Sequence, residues 1–423
     1  MSQQKKICVI VTSRADYGRV SAVLRALREH KNVTLQIVAC RADFFEYLRY
    51  QFFYGKVSSA IKTASWYLWA GVTSLFLGKH KRAEVGSIAP LLRKHGFEPD
   101  LNIPIFLPRR DEDAMLEASA RAIREVGKAL KKLRPDIVLI HGDRFELLPI
   151  AMSAAFLNIP IAHIEGGDVS GTIDESIRHA ISKLSHIHFP VTEQSKERLL
   201  RMGENPESIY VSGMSAIDTL RELDTTLDSG FVSRNGNGGL SSFEVSEPFA
   251  LVMYHPVTTR REKNNEDILS VLEAVSKLPI QKVIIAPNID AGSMSIIRGK
   301  WELAHTKGSQ TVFYKNVPEE DFYRLLNNAK VAIGNSSSFL REAAYFGTPV
   351  VLVGDRQQGR ERGHNVVEVP HDVETIVQTA QAQMEKGRYE PDLRFGSGYT
   401  GTHIAKVLAE LDLSSISLQK KFH

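Results

Sequence analysis

The chain has 423 residues, 43% hydrophobic and 24% charged, a globular composition with length for two or three cores. That composition excludes a disordered chain, a collagen-like fibre and a disulfide scaffold. A net charge of +4 is small for this length and argues against nucleic acid as a partner. Cys8 and Cys40 lie in or beside apolar strand-like runs, as buried thiols of a reducing compartment do. The apolar run after Lys5 and Lys6 is interrupted by Ser13, Arg14 and Asp16 too early for an export signal, so a cytoplasmic protein is expected.

In chain order, short Val- and Ile-rich runs alternate with segments of helical period, the pattern of an α/β protein with parallel sheets covered on both faces. In the first half the predicted strands are 7–12, 35–39, 136–141, 160–164 and 186–191, with helices at 20–29 and 113–133. A second series follows, with strands 249–254, 282–286, 311–314, 331–333 and 349–353 and helices near 265–277, 318–328 and 337–346. The stretch 228–242 between them is dense in Gly, Ser and Asn and reads as a connection. The expected organisation is two Rossmann-like domains, 1–222 and 223–398, with a last segment 399–423 crossing back to the first, and a ligand cleft at the carboxyl ends of the strands.

Residues 44–76 break the alternation, holding eleven of the 34 aromatic residues, and 64–78 carry no charge. About 20 apolar residues are needed to span a bilayer, so this insertion, about 44–82, is read as a lid or subunit contact. The alternative is a helix resting on a membrane surface, flanked by the basic 79–82.

Chemistry-bearing residues gather where strands end. The first βα turn, 11–18, offers a helix N-terminus to an anion and lacks the GxGxxG of nicotinamide and flavin enzymes. Arg14 there either grips a phosphate or pairs with Asp16. Asp143, Glu165 and Asp174 lie within 32 residues of one another, each beside glycine or another acid, a grouping that allows separate acid and base roles. Arg178 lies one turn beyond Asp174. His186 and His188 face one side of a strand as a metal pair would, but no third ligand is suitably spaced and a structural role is favoured. His255 ends the first strand of the second series and is a candidate for contacting charge. Gly334, Asn335, Ser336, Ser337 and Ser338 form a strand–turn–helix suited to a diphosphate, Glu342 could hold a ribose, and the loop from Gly354 through Arg356 to Glu361 suits a nucleobase edge or phosphate.

The stretches SRADYG (13–18), HGDR (141–144), HIEGGDVSGTIDESIRH (163–179), HPVTT (255–259), GNSS (334–337) with RE (341–342), and GTPVVLVGDRQQGRE (347–361) resemble the hydrolysing UDP-N-acetylglucosamine 2-epimerases of sialic and legionaminic acid pathways. The likeness covers most of the chain outside roughly 44–110 and 225–245. It implies the two-domain glycosyltransferase-B arrangement, Asp143, Glu165 and Asp174 as catalytic carboxylates, and His255 and Arg178 in the same site. It also implies Arg14, Asp16, Gly334, Ser336, Ser337, Glu342 and Arg356 as UDP contacts, no metal or other cofactor, a UDP-sugar substrate and a homodimer or homotetramer. The non-hydrolysing relatives carry a proline-containing sequence after the element matching 163–167, which favours the hydrolysing branch. In place of the Gly-His element that often follows the second strand stand Cys40, Arg41, Ala42 and Asp43, which leaves the sugar open. The implied reaction is loss of UDP, removal of the C2 proton to give a 2-acetamidoglycal, and hydration to the free 2-epimer. The alternatives are a glycosyltransferase of the same fold and a non-catalytic UDP-sugar binder.

Overall fold

The computed structural model describes residues 4–42, 87–106, 112–170, 173–236, 243–255, 264–285, 310–314 and 317–421. The aromatic insertion 44–82, residues 237–242 of the connection, and 256–260 after His255 lie outside the described residues. Two compact units emerge: Met1–Asp168, Thr172–Asp218 and Tyr399–His423 form one, and Val169–Gly171 with Thr219–Gly398 form the other.

The first unit runs β1 (Lys5–Val11), α1 (Arg14–Glu29), β2 (Val33–Ala42), α2 (Ala89–Lys94), β3 (Leu101–Phe106), α3 (Glu112–Leu133), β4 (Ile137–His141), α4 (Leu147–Phe156), β5 (Ile161–Ile164), α5 (Ile173–Leu184), β6 (Ile187–Phe189), α6 (Glu193–Arg201) and the start of α7 (Ala216–Glu222), whose residues from Thr219 onward belong to the second unit. The second runs α8 (Gly230–Asn235), β7 (Phe249–Met253), α9 (Asn264–Ser276), β8 (Gln281–Ile285), β9 (Thr311–Tyr314), α10 (Glu319–Asn328), β10 (Val331–Gly334), α11 (Glu342–Phe346), β11 (Val350–Val353), β12 (Val366–Val369) and α12 (Val373–Lys386). A final α13 (Thr400–Glu410) belongs to the first unit.

Each unit contains a six-stranded sheet, ordered β3-β2-β1-β4-β5-β6 in one and β12-β11-β10-β7-β8-β9 in the other. The strand pairs are parallel. Both sheets thus follow the Rossmann order and reverse direction at one point, β1/β4 and β7/β10. Central strands are buried on both faces, as in β4 and β11, which accounts for their continuous apolar runs. Ile7, Val9 and Val11 pack on one side of the first sheet with Leu24 and Leu408, while Cys8, Ile10 and Cys40 pack on the other with Val126 and Ile150.

Several boundaries differ from the expectation. α1 begins at Arg14 rather than at residue 20, because the Ser13 side chain caps it by accepting the Asp16 N–H at 3.2 Å. β3 and β12 were not expected; both are edge strands, and the edge position accommodates Pro104 in β3. The predicted helix over 337–346 is a 3-10 turn, Ser337–Phe339, followed by α11.

The last helix is held at both ends. Asp218 accepts the backbone N–H groups of Thr400 at 2.9 Å and Gly401 at 2.7 Å, and the Lys5 ammonium donates to the closing carbonyls, reaching Ala409 at 2.7 Å. Farther on, Lys420 donates to the carbonyls of Lys183 at 2.9 Å and Ser185 at 2.5 Å at the end of α5, and to the Glu204 carboxylate at 2.5 Å. Glu204 also receives His188 at 3.0 Å and Lys183 at 2.7 Å. Burial works to raise the Glu204 pKa, but these donors outweigh it and hold it at about 2.

A folded-state value below the ordinary 4.5 means that Glu204 stabilises the fold above pH 4.5 and loses that contribution as pH falls toward 2. Glu204→Gln is therefore expected to lower unfolding free energy at pH 7 by on the order of 3 kcal/mol, at about 1.4 kcal/mol per pKa unit. Urea unfolding at a series of pH values should show the gap from the parent closing below pH 4.

Candidate active site

At a point where strand order reverses, the connections leaving the two adjacent strands diverge and open a space at their carboxyl ends. In the first unit this point lies between β1, which leads through Thr12 and Ser13 into α1, and β4, which ends at His141. Asp16, 4% exposed, accepts the Thr12 backbone N–H at 2.8 Å, and its other oxygen lies 3.1 Å from His141 Nδ1. The alternative Arg14–Asp16 pair is thus replaced by an Asp16–His141 contact across the reversal, while Arg14 is exposed.

His141 Nε2 lies 3.4 Å from Glu165 Oε1. Burial opposes charge on this imidazole, but the Asp16 and Glu165 carboxylates outweigh burial and push its pKa up to about 9. His163 on β5 behaves oppositely. Its Nε2 donates to the Gly142 carbonyl at 2.9 Å, its Nδ1 faces the Ser182 hydroxyl at 3.1 Å, and burial pushes it down to about 3. One imidazole is therefore a cation at neutral pH and its neighbour is not. Glu165 adopts φ +63°, a left-handed conformation that costs a side chain with a Cβ about 1 kcal/mol.

Beyond β4, Asp143 meets Arg178. Arg178 is 4% exposed on α5; its Nη2 donates to the Asp143 carboxylate and its Nη1 lies 3.4 Å from Asp168 Oδ2. Asp168 in turn accepts the Ser195 hydroxyl at 2.5 Å. Gly167 precedes it at φ +79°, where a Cβ would stand 2.2 Å from the Ser195 carbonyl, so only glycine brings the chain this close to α6. Asp174 is half-buried in the first turn of α5. The expected residues Asp143, Glu165, Asp174 and Arg178 thus stand just past β4, just past β5 and on α5 of one unit; His141 contacts Glu165 and Asp168 contacts Arg178, two residues which the sequence motifs contained but did not single out. A cavity of about 850 Å³ opens beside Thr12, Ser13, Arg14 and Arg144, with Leu91, Phe106 and Met115 in its apolar wall.

His186 and His188 serve structure, as favoured. His188 faces Glu204, and His186 Nδ1 accepts the Ile161 N–H at 3.2 Å.

In the second unit the reversal lies between β7, which ends just before Tyr254 and His255, and β10, which ends at Gly334. Asn335, 1% exposed, joins them: its Oδ1 accepts the His255 N–H at 2.7 Å and its Nδ2 donates to the His255 carbonyl at 2.8 Å. Its own carbonyl accepts Arg356 Nη1 at 3.0 Å and Gln357 Nε2 at 2.9 Å, anchoring the loop after β11 to the same turn. Ser336 caps the 3-10 turn by accepting the Ser338 N–H at 3.3 Å, Ser337 begins that turn, and Glu342 is buried at the start of α11. His255, Gly334, Ser336, Ser337, Glu342 and Arg356 are thus gathered in the second unit. Asn335, part of the turn in the sequence motif, ties His255 and Arg356 to that turn.

The UDP-N-acetylglucosamine 2-epimerase family model matches residues 73–409, most of the chain. The chain belongs to this family. It is 31% identical, over 98% of both chains, to a UDP-N,N'-diacetylbacillosamine 2-epimerase (hydrolyzing) from Legionella pneumophila. It is 28% identical, over 99% of this chain and 98% of the other, to a UDP-N-acetylglucosamine 2-epimerase from Neisseria meningitidis. Among solved structures, the N. meningitidis UDP-GlcNAc 2-epimerase bound to UDP-GlcNAc superposes with a TM-score of 0.69 at 20% identity, covering 96% of this chain and all of the other. A Listeria monocytogenes UDP-N-acetylglucosamine 2-epimerase gives a TM-score of 0.70 at 16% identity over 96% of both. These likenesses establish the epimerase fold as two Rossmann-like units of glycosyltransferase-B type.

Gly334 is the tightest point of the second reversal. At φ +142° a Cβ would lie 2.0 Å from the Met253 carbonyl on the paired strand. Gly334→Ala must push β10 from β7, and the expected loss is about 2–4 kcal/mol of stability, read by chemical denaturation.

Proposed function

We infer that this epimerase is the hydrolysing kind, releasing UDP and the free 2-epimer of an N-acetylated amino sugar. The observation that carries the reading is Asp143 braced by Arg178 and Glu165 by His141, with Asp174 in the first turn of the helix that carries Arg178, in a chain 31% identical to a relative described as hydrolysing. A hydrogen on C2 of a pyranosyl nucleotide is not beside a carbonyl, and a carboxylate alone cannot remove it. Departure of UDP with the C1–O electron pair must first place positive charge on C1. Carboxylates near that carbon oppose the charge, and one of them takes the C2 proton as the C1–C2 double bond forms, leaving a 2-acetamidoglycal. Water then adds across that bond, its hydroxyl to C1 and a proton to C2 from the other face, giving the epimer.

In this reading the second unit holds the leaving group. The backbone N–H groups and hydroxyls of Ser336 and Ser337 take the diphosphate, Arg356 adds charge, Glu342 takes the ribose hydroxyls, and His255 lies beside the phosphates. No metal or redox group enters this reading. The relative 31% identical over 98% of this chain is described as a UDP-N,N'-diacetylbacillosamine 2-epimerase, whose substrate carries two acetamido groups. A UDP-2,4-diacetamido-6-deoxyhexose is thus preferred to UDP-N-acetylglucosamine, and the product fits nonulosonic acid synthesis.

Proton NMR with each nucleotide sugar in deuterated water tests this directly. The expected outcome is UDP with a free 2-epimer deuterated at C2, formed faster from the diacetamido sugar. A UDP-bound epimer as the product would identify a non-hydrolysing enzyme, and no reaction without an acceptor would favour a glycosyltransferase. Asp143→Asn and Glu165→Gln should each lower turnover by about 10²-fold or more while leaving UDP affinity within about threefold.

A further inference from the structure

We propose that His141 is a positioning residue of the reaction: a doubly ion-paired imidazolium, held by Asp16 on one side, that fixes the Glu165 carboxylate in its working place on the other. The inference rests on the proposed role of Glu165 and adds to it a residue outside the expected catalytic set.

Three observations converge on His141. It sits at the point where strand order reverses, on the last residue of β4, with Asp16 of α1 3.1 Å from Nδ1 and Glu165 3.4 Å from Nε2. A ring facing carboxylates through both nitrogens is satisfied only when both carry protons. Second, Asp16 is itself pinned, with one oxygen receiving the Thr12 backbone N–H at 2.8 Å and the Thr12 hydroxyl at 3.3 Å. The chain of contacts therefore starts from rigid backbone at the end of β1 and finishes on Glu165. Third, Glu165 stands at φ +63° just past β5, where its backbone N–H donates to the Phe189 carbonyl at 3.0 Å. A side chain in this strained conformation gains from an external contact that holds it.

Among the described residues, other charged and titratable groups around this point have partners of their own, as Arg144 and Glu146 do in each other. On β5, His163 faces Gly142 and Ser182 and stays neutral; beyond β4, Asp143 pairs with Arg178 of α5, which also faces Asp168. On β2, the buried Cys40 thiol feels Asp16, and burial together with the nearby acids raises its pKa. Among the described residues, the imidazolium links Asp16 to Glu165. Without it the buried Asp16 and Glu165 carboxylates would lose the cation between them, and Glu165 a contact that orients it.

The test uses the full chain labelled with 13C at histidine Cε1. In the parent, the His141 resonance, assigned by its loss in His141→Gln, should titrate with a midpoint above pH 8, and Glu165→Gln should lower that midpoint by more than one unit. A parent midpoint near 6.5, or one that Glu165→Gln leaves in place, overturns the proposal. In kinetics, His141→Gln should lower kcat by about tenfold or more with KM within about threefold, and remove the alkaline limb of the parent profile. Unchanged kcat, or a loss confined to KM, also overturns it. Asp16→Asn supplies a second variant should His141→Gln fold poorly, with a lowered His141 midpoint expected and an unmoved one contradictory. Because the NMR titration needs no turnover, it reads the ion pairs separately from the reaction: a parent that releases no UDP refutes the proposed function, not the His141 linkage.

Discussion

The candidate site depends on one buried guanidinium. Arg178 lies on α5, the helix that follows β5, and reaches Asp143 beyond β4 and Asp168 beyond β5. A charge this deeply placed is stable only while both acids remain beside it, and removing one partner of such a group typically costs about 3–5 kcal/mol. The pairing therefore fixes more than two side chains. It sets where α5 begins relative to the ends of β4 and β5, and so where Asp174 stands in the first turn. The far end of α5 is held independently by Lys420, whose ammonium takes its final carbonyls and the buried Glu204. The helix carrying Asp174 and Arg178 is thus fixed through its middle by Arg178 and at its C-terminal end by Lys420.

The two units solve the same topological problem in related ways. Each reverses strand order once, and each bridges the opening with a polar side chain from the last turn of a strand or the residue after it. In the first unit the bridge is the charged His141 reaching Asp16 and Glu165; in the second it is the neutral Asn335, whose amide pairs with the backbone of His255. The difference suits the ligand each is assigned. A phosphate-binding turn needs free backbone N–H groups and a fixed path, which an amide supplies without adding charge. A site that must oppose positive charge at carbon needs ordered carboxylates, and these need a cation to order them.

Much of this was legible in the sequence because parallel sheets buried on both faces write continuous apolar runs, and because polar clusters such as 141–144 and 163–168 follow them directly. What escaped has identifiable causes. β3 contains Pro104 and β12 is half-exposed, so neither shows the buried-strand pattern. The start of α1 was hidden because Arg14, Asp16, Gly18 and Arg19 interrupt its apolar period before Val20, although Tyr17 already packs in the core. His141 and Asn335 were present in the quoted motifs, but their work is done on partners distant in sequence: Asp16 lies 125 residues from His141, and His255 lies 80 from Asn335. Only the strand order brings them together.

The central claim is a division of labour, in which Arg178 braces the acids of the first unit while the turns of the second grip UDP. Replacing Arg178 by Lys keeps the charge but loses the planar two-armed contact. Parallel measurement of turnover and of UDP affinity by calorimetry, on protein whose circular dichroism matches the parent, separates the two tasks. The account predicts a kcat lowered by about 10²-fold with a UDP Kd within about threefold of the parent. A UDP affinity that falls as steeply as turnover, or turnover that survives the change, would contradict it.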